Sequence, residues 1–282
     1  TATEIFKVFG LNSSNLTILT STRLINLNKK FDTIIVDEAH KLSRRGPRQM
    51  AIFNSVYKNP EFSSCETHLE PLQKLSDQLI LMYDVLQVIR PANISREKFQ
   101  NLTTSFEQRY LTTQFRIQAP NGKSYTSEDY INGIKYLLYK DTGLLEFTNF
   151  NKDFDRSLFL DNDLDAYFGF FEDKPLQNLI NWIEEDNNYN PEHVNRVLSG
   201  LVEPWRPEDG KAPSITHFHE GTINRRWNSD QKDWINSKDT DAKEQIGSVF
   251  AVQGLDLNKV GVLIGNDLLV DTDGKLYGEP DN

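Results

Sequence analysis

Cysteine is almost absent: Cys65 is the single one in 282 residues, which excludes an internal disulfide framework and fits a reducing compartment. Long apolar runs are missing as well. The longest, Gln78-Leu79-Ile80-Leu81-Met82-Tyr83, falls far short of the ~20 residues that cross a bilayer, so no membrane association is expected. The opening Thr-Ala-Thr-Glu-Ile-Phe-Lys joins no basic stretch to an apolar core, and a cytoplasmic location without a secretory signal is the expectation. An excess of positive charge is lacking too. The 41 Asp and Glu against 31 Lys and Arg give a net charge of -10, which argues against a wholesale basic coat for nucleic acid yet leaves room for a local basic path. The one basic cluster is Lys41, Arg44, Arg45 and Arg48. Finally, the chain contains no Gly-x-x-x-x-Gly-Lys-Ser/Thr loop, whose backbone amides and lysine hold nucleotide phosphates. Asn121-Gly122-Lys123-Ser124 lacks the earlier glycine and does not substitute for it.

What is present is the composition of a globular protein with a sizeable core, 38% hydrophobic and 26% charged. Short apolar, β-branched runs predict strands at Phe31 to Val36, Leu79 to Tyr83, Tyr110 to Phe115, Ala166 to Phe171, Val194 to Val202 and Val260 to Ile264. Between them lie helical patterns. The clearest is Lys174 to Glu185, where Leu176, Leu179, Ile180 and Ile183 recur at helical spacing behind a proline start signal. Such alternation, with strands apolar on both faces, predicts an α/β fold on mainly parallel sheets.

The chemistry concentrates where Phe31-Asp32-Thr33-Ile34-Ile35-Val36 runs into Asp37-Glu38-Ala39-His40. Ligands of parallel sheets sit at the carboxyl ends of strands, so this strand presents two carboxylates to a site edge. Asp37 can hold Mg²⁺ and Glu38 can orient or deprotonate a water that attacks a γ-phosphate.

The segment resembles the Asp-Glu-Ala-His form of motif II of helicases and related P-loop ATPases. Three later segments follow in matching order. Leu79 to Gln87 is similar to motif III, with Tyr83 where that motif has glycine, and with Asp84 and Gln87 in place. Leu111-Thr112-Thr113-Gln114-Phe115-Arg116 resembles motif IV, and Ile246 to Asp256, containing Gln253 and Gly254, resembles motif V. With Arg196 to Gly200, Trp227-Asn228 and Val260 to Gly265, the chain from about Phe31 to about Asp267 resembles the Schlafen group 3-like DNA/RNA helicase domain known from bacteria. That resemblance implies parts of two RecA-like lobes, 1–104 carrying motifs II and III and 105–282 carrying motifs IV and V; because the phosphate loop and motif VI are not found, the expectation is a fragment cut at both ends or a degenerate relative. It implies ATP and Mg²⁺ as cofactors of an intact parent, with DNA or RNA, single-stranded, as partner. By the same analogy Glu38, Gln87 and Arg116 are catalytic. Asp37, Asp84, Gln114, Gln253 and Gly254 then serve nucleotide, metal and coupling, and Arg44, Arg45, Arg226 and Trp227 are candidate nucleic-acid contacts.

Two other classes stay open: a non-hydrolysing nucleic-acid or protein interaction module, and a switch ATPase acting on proteins. Lesser signals are weighed the same way. His217-Phe218-His219 puts two imidazoles on one strand face without a third ligand, and an edge strand is the plainer expectation. Asp161 to Asp165 looks like a calcium loop but lacks its glycine and terminal glutamate. Asp271-Thr272-Asp273-Gly274-Lys275 fits a hairpin turn, and Cys65 is expected in a polar loop with no catalytic role.

Overall fold

The computed structural model describes residues 16–47, 51–111, 117, 122–161, 169–206, 208–209, 212, 214–229, 234–235, 244–252 and 255–279. Its contacts divide the chain into two units, Thr1–Thr112 with Gly143–Asn149, and Thr113–Thr142 with Phe150–Asn282.

In the first unit, Thr20 caps helix α1 (Ser21–Asn26), its hydroxyl accepting from Arg23 N, and Ile25 is fully buried. Strand β1 (Phe31–Val36) pairs in parallel with β2 (Ser76–Leu81), from Phe31 opposite Ser76 to Val36 opposite Leu81. Parallel pairing demands a crossover, supplied here by α2 (Leu69–Leu75), with Leu69 and Leu72 turned into the core. Ser95 caps α3 (Arg96–Leu102), which adds Phe99 to the same core. Full burial of side chains such as Ile25, Leu69, Leu72 and Ile94 contributes roughly 1.5–3 kcal/mol each. The sequence pattern suggests that both faces of β1 are covered, and here the structure differs. Ile34 is buried while Ile35, pointing to the opposite face, is 64% exposed.

The second unit holds a five-stranded sheet in the order β4-β5-β6-β3-β7, from β3 (Asn195–Ser199), β4 (Phe218–Glu220), β5 (Ile223–Trp227), β6 (Gln245–Ser248) and β7 (Lys259–Leu263). All pairs are parallel except the β4–β5 hairpin. Helix α4 (Ser127–Tyr139) opens on a capping box between Thr126 and Asp129. Helix α5 (Pro175–Tyr189) begins on its proline and lays Leu176, Ile180 and Ile183 against Val197, Phe218, Trp227 and Ile246. Beyond the sheet, β8 (Leu268–Val270) and β9 (Leu276–Gly278) form a hairpin whose turn is the expected Asp-Gly one: Gly274 has φ +76, and Asp271 Oδ1 accepts from Asp273 N and Lys275 N.

The fold is therefore mixed α/β on mostly parallel sheets. Tyr110 and Leu111 are exposed coil rather than strand, and residues 112–116 lie outside the described set. So do 166–168 of the strand expected at Ala166 to Phe171, whose remaining residues are also coil. Cys65 is buried at 2% exposure rather than set in a polar loop. Among the described residues, no helix is long and apolar enough to cross a membrane.

Candidate functional site

The site is built from the ends of β1 and β2. Past their strand register the two chains stay stitched together: Met82 N donates to Val36 O at 2.9 Å and Ala39 N donates to Met82 O at 2.6 Å. Motifs II and III thus leave the same sheet end side by side. The chain reverses through Glu38, which takes a left-handed backbone (φ 54, ψ 47) and leads the 3-10 turn Ala39–Lys41. For a residue with a Cβ that conformation costs on the order of 1–3 kcal/mol, and such outliers gather at functional sites.

Asp37 is exposed and, among the described residues, makes no hydrogen bond or ion pair; an uncommitted carboxylate at a strand end fits a hard cation such as Mg²⁺. Glu38 is turned differently. Its Oε2 is shielded from solvent and lies 2.9 Å from His40 Nε2 and 3.7 Å from Lys41 Nζ. His40 is 2% exposed, and burial lowers its pKa against the opposing pull of Glu38, Asp84 and Asp37.

Asp84 caps the 3-10 turn Val85–Gln87 with Oδ1, accepting from Leu86 N, while Oδ2 accepts from Gln87 Nε2, both at 2.9 Å. Each oxygen accepts one local hydrogen bond, so Asp84 braces Gln87. The basic run continues the stitching. Arg44 Nε donates to Pro91 O at 2.6 Å, and Arg45 donates to Ser63 O at 2.7 Å while stacking over Tyr57 at 4.3 Å. Both arginines remain exposed, but each anchors a loop.

Trp227 and Arg226 need correction as nucleic-acid contacts. Trp227 is 5% exposed, donates from Nε1 to Ser199 O at 3.2 Å and meets Trp205 edge-on, so it packs the core and offers no face to a base. Arg226 is buried in β5, opposite Gln245 of β6. The two imidazoles near β4 do not share a face either. His217 is buried, its Nδ1 accepting from Trp227 N, while His219 is exposed beside Asn224. Asp161 is held by Lys123 at 2.9 Å and by the Tyr125 hydroxyl at 2.5 Å, and no group of three or more metal-ligating side chains occurs among the described residues.

Gln114, Arg116, Gln253 and Gly254 lie outside the described residues. The strand leading into motif V is described, and in it Gly247 lies flat beneath Trp234, where a Cβ would come within 2.0 Å of the indole. His40 is the residue that sequence reasoning passed over. It stood in the quoted motif, and the signal was a polar ring two residues beyond Glu38.

A family model described as Schlafen group 3, DNA/RNA helicase domain matches residues 10–280. The chain belongs to this family. As a Schlafen group 3 helicase domain it is similar to an uncharacterized protein of Saccharomyces cerevisiae, YPL245W, with 27% identity over 271 residues, covering 88% of this chain and 52% of that protein. The domain thus spans about half the length of the curated relative it matches. No solved structure matches it.

Proposed function

We propose that this helicase domain is part of an ATP-dependent DNA/RNA helicase-like or translocase ATPase, made from parts of two RecA-like lobes, that couples ATP hydrolysis to movement along single-stranded nucleic acid. The observation that carries the reading is the end of β1, where Glu38 is held in a left-handed backbone next to an uncommitted Asp37, at the sheet end that also carries Gln87. Glu38 is the general base: it takes a proton from water as the water oxygen bonds the γ-phosphorus, and the bond to the bridging oxygen breaks to release ADP. Asp37 would hold Mg²⁺, which neutralises phosphate charge when bound. Gln87 contacts the γ-phosphate through its carboxamide, which can donate and accept. Arg116 and Gln114 serve the phosphates from the second lobe, and Gln253 and Gly254 report nucleic acid to the same chemistry. The phosphate loop would come from elsewhere in a longer protein.

A non-hydrolysing interaction module is the second reading, favoured by the lack of any Gly-x-x-x-x-Gly-Lys-Ser/Thr in these 282 residues. ATP turnover by the full-length protein, with and without single-stranded DNA and RNA, separates the two. Stimulated hydrolysis that falls about 100-fold or more in Glu38→Gln supports the motor. A wild type inactive under every condition supports the module.

A further inference from the structure

We propose that His40 is the positioning residue for the water-activating carboxylate, and this rests on the ATPase reading above. The left-handed turn at Glu38 brings side chains two residues apart to the same side, and the 3-10 turn that follows fixes the imidazole in the core at 2% exposure. From there Nε2 reaches Glu38 Oε2 at 2.9 Å. The approach is close, yet Oε2 accepts no aligned hydrogen bond among the described residues. That combination suits a base. Oε2 is held at the ring edge and shielded, while the Glu38 side chain as a whole is 30% exposed, so the carboxylate is fixed from one side and stays open to water on the other. Lys41, at 3.7 Å and exposed, adds a screened attraction and little geometry.

His40 is also the electrostatic neighbour of Asp84, which in turn holds Gln87 at 2.9 Å. Neither an apolar residue nor a shorter amide at position 40 can restrain Oε2 from the same point. A glutamine can, since its Nε2 reaches about as far along the side chain as the histidine Nε2.

The test uses the full-length protein and compares His40→Ala, His40→Asn and His40→Gln by steady-state ATP hydrolysis, by Kd for a non-hydrolysable ATP analogue and by melting temperature. Expected are a kcat lowered about 10- to 100-fold in the alanine and asparagine variants, KM and Kd within about threefold of wild type, and a glutamine variant restored to within about threefold. If the alanine variant does not fold, the asparagine and glutamine pair decides. The proposal is overturned if the alanine or asparagine variant keeps wild-type kcat, or if glutamine is as slow as asparagine while melting temperatures fall in step with rate. A wild type without hydrolysis instead overturns the ATPase reading and this inference with it.

Discussion

Tyr83 replaces the glycine that the helicase motif has at this point, and the structure explains what the larger residue does. Its ring stacks on Phe99 with centroids 3.7 Å apart and planes 11° from parallel, closing the core of the first unit under motif III. Its hydroxyl, however, is buried without a hydrogen-bond partner among the described residues, and burial pushes its pKa up to about 12. An unsatisfied buried hydroxyl costs roughly 1–3 kcal/mol. Tyr83→Phe is therefore expected to match or exceed wild-type stability in urea unfolding, by up to about 1 kcal/mol. Tyr83→Ala should lose about 3 kcal/mol or more through the cavity it leaves. A phenylalanine variant clearly less stable than wild type would mean that the hydroxyl has a partner in solution. The motif letters of Asp37, Glu38 and Gln87 were legible in the sequence because strand-end carboxylates and a downstream carboxamide carry a recognisable spacing. The contacts of His40 and Asp84 were not, since they depend on a left-handed turn that no pattern announces.

Helix α5 and strands β3 and β7 are tied at their ends by one buried carboxylate. Asp186, 7% exposed, accepts from His193 Nδ1 at 2.8 Å, Asn195 Nδ2 at 2.6 Å and Asn190 Nδ2 at 3.1 Å, and pairs with Lys259 Nζ at 3.2 Å. Burial alone would raise its pKa, but these donors outweigh burial and bring it down to about 2. A folded-state pKa below the unfolded value of about 3.9 means that this stabilisation is complete above about pH 4 and is lost as pH falls toward 2. Replacing Asp186 with Asn should cost about 2–3 kcal/mol at neutral pH, by urea unfolding, and the gap from wild type should close between about pH 4 and pH 2. A gap independent of pH would show that the charge is irrelevant and only the shape matters. The helix itself was readable from its periodicity and its proline. Its partners were not, because which strand ends meet a helix C-terminus is set by the order β4-β5-β6-β3-β7, in which β3, first in the chain, sits between β6 and β7.

For the whole molecule, net charge and the lack of a phosphate-loop motif in these 282 residues set the expectations. A chain of net charge -10 without a phosphate loop lacks most donors for a triphosphate. Isolated as 282 residues it is expected to show no rise in melting temperature with millimolar Mg-ATP, whereas the full-length protein at a hundredfold excess over Kd should gain about 2.7 kcal/mol. A clear shift in the isolated chain would mean that it builds a phosphate site without the loop. The sequence by itself determined the α/β class, the strand ending in Asp37 and Glu38 and the Asp-Gly hairpin, since periodicity, strand-end polarity and turn chemistry are local properties. Only the tertiary structure decided that Trp227 and Arg226 are interior, that Ile35 is bare on one sheet face, and that His40 faces Glu38. Burial and long-range contact follow from which elements pack together, and residues of one type, exposed or enclosed, are written with the same letter.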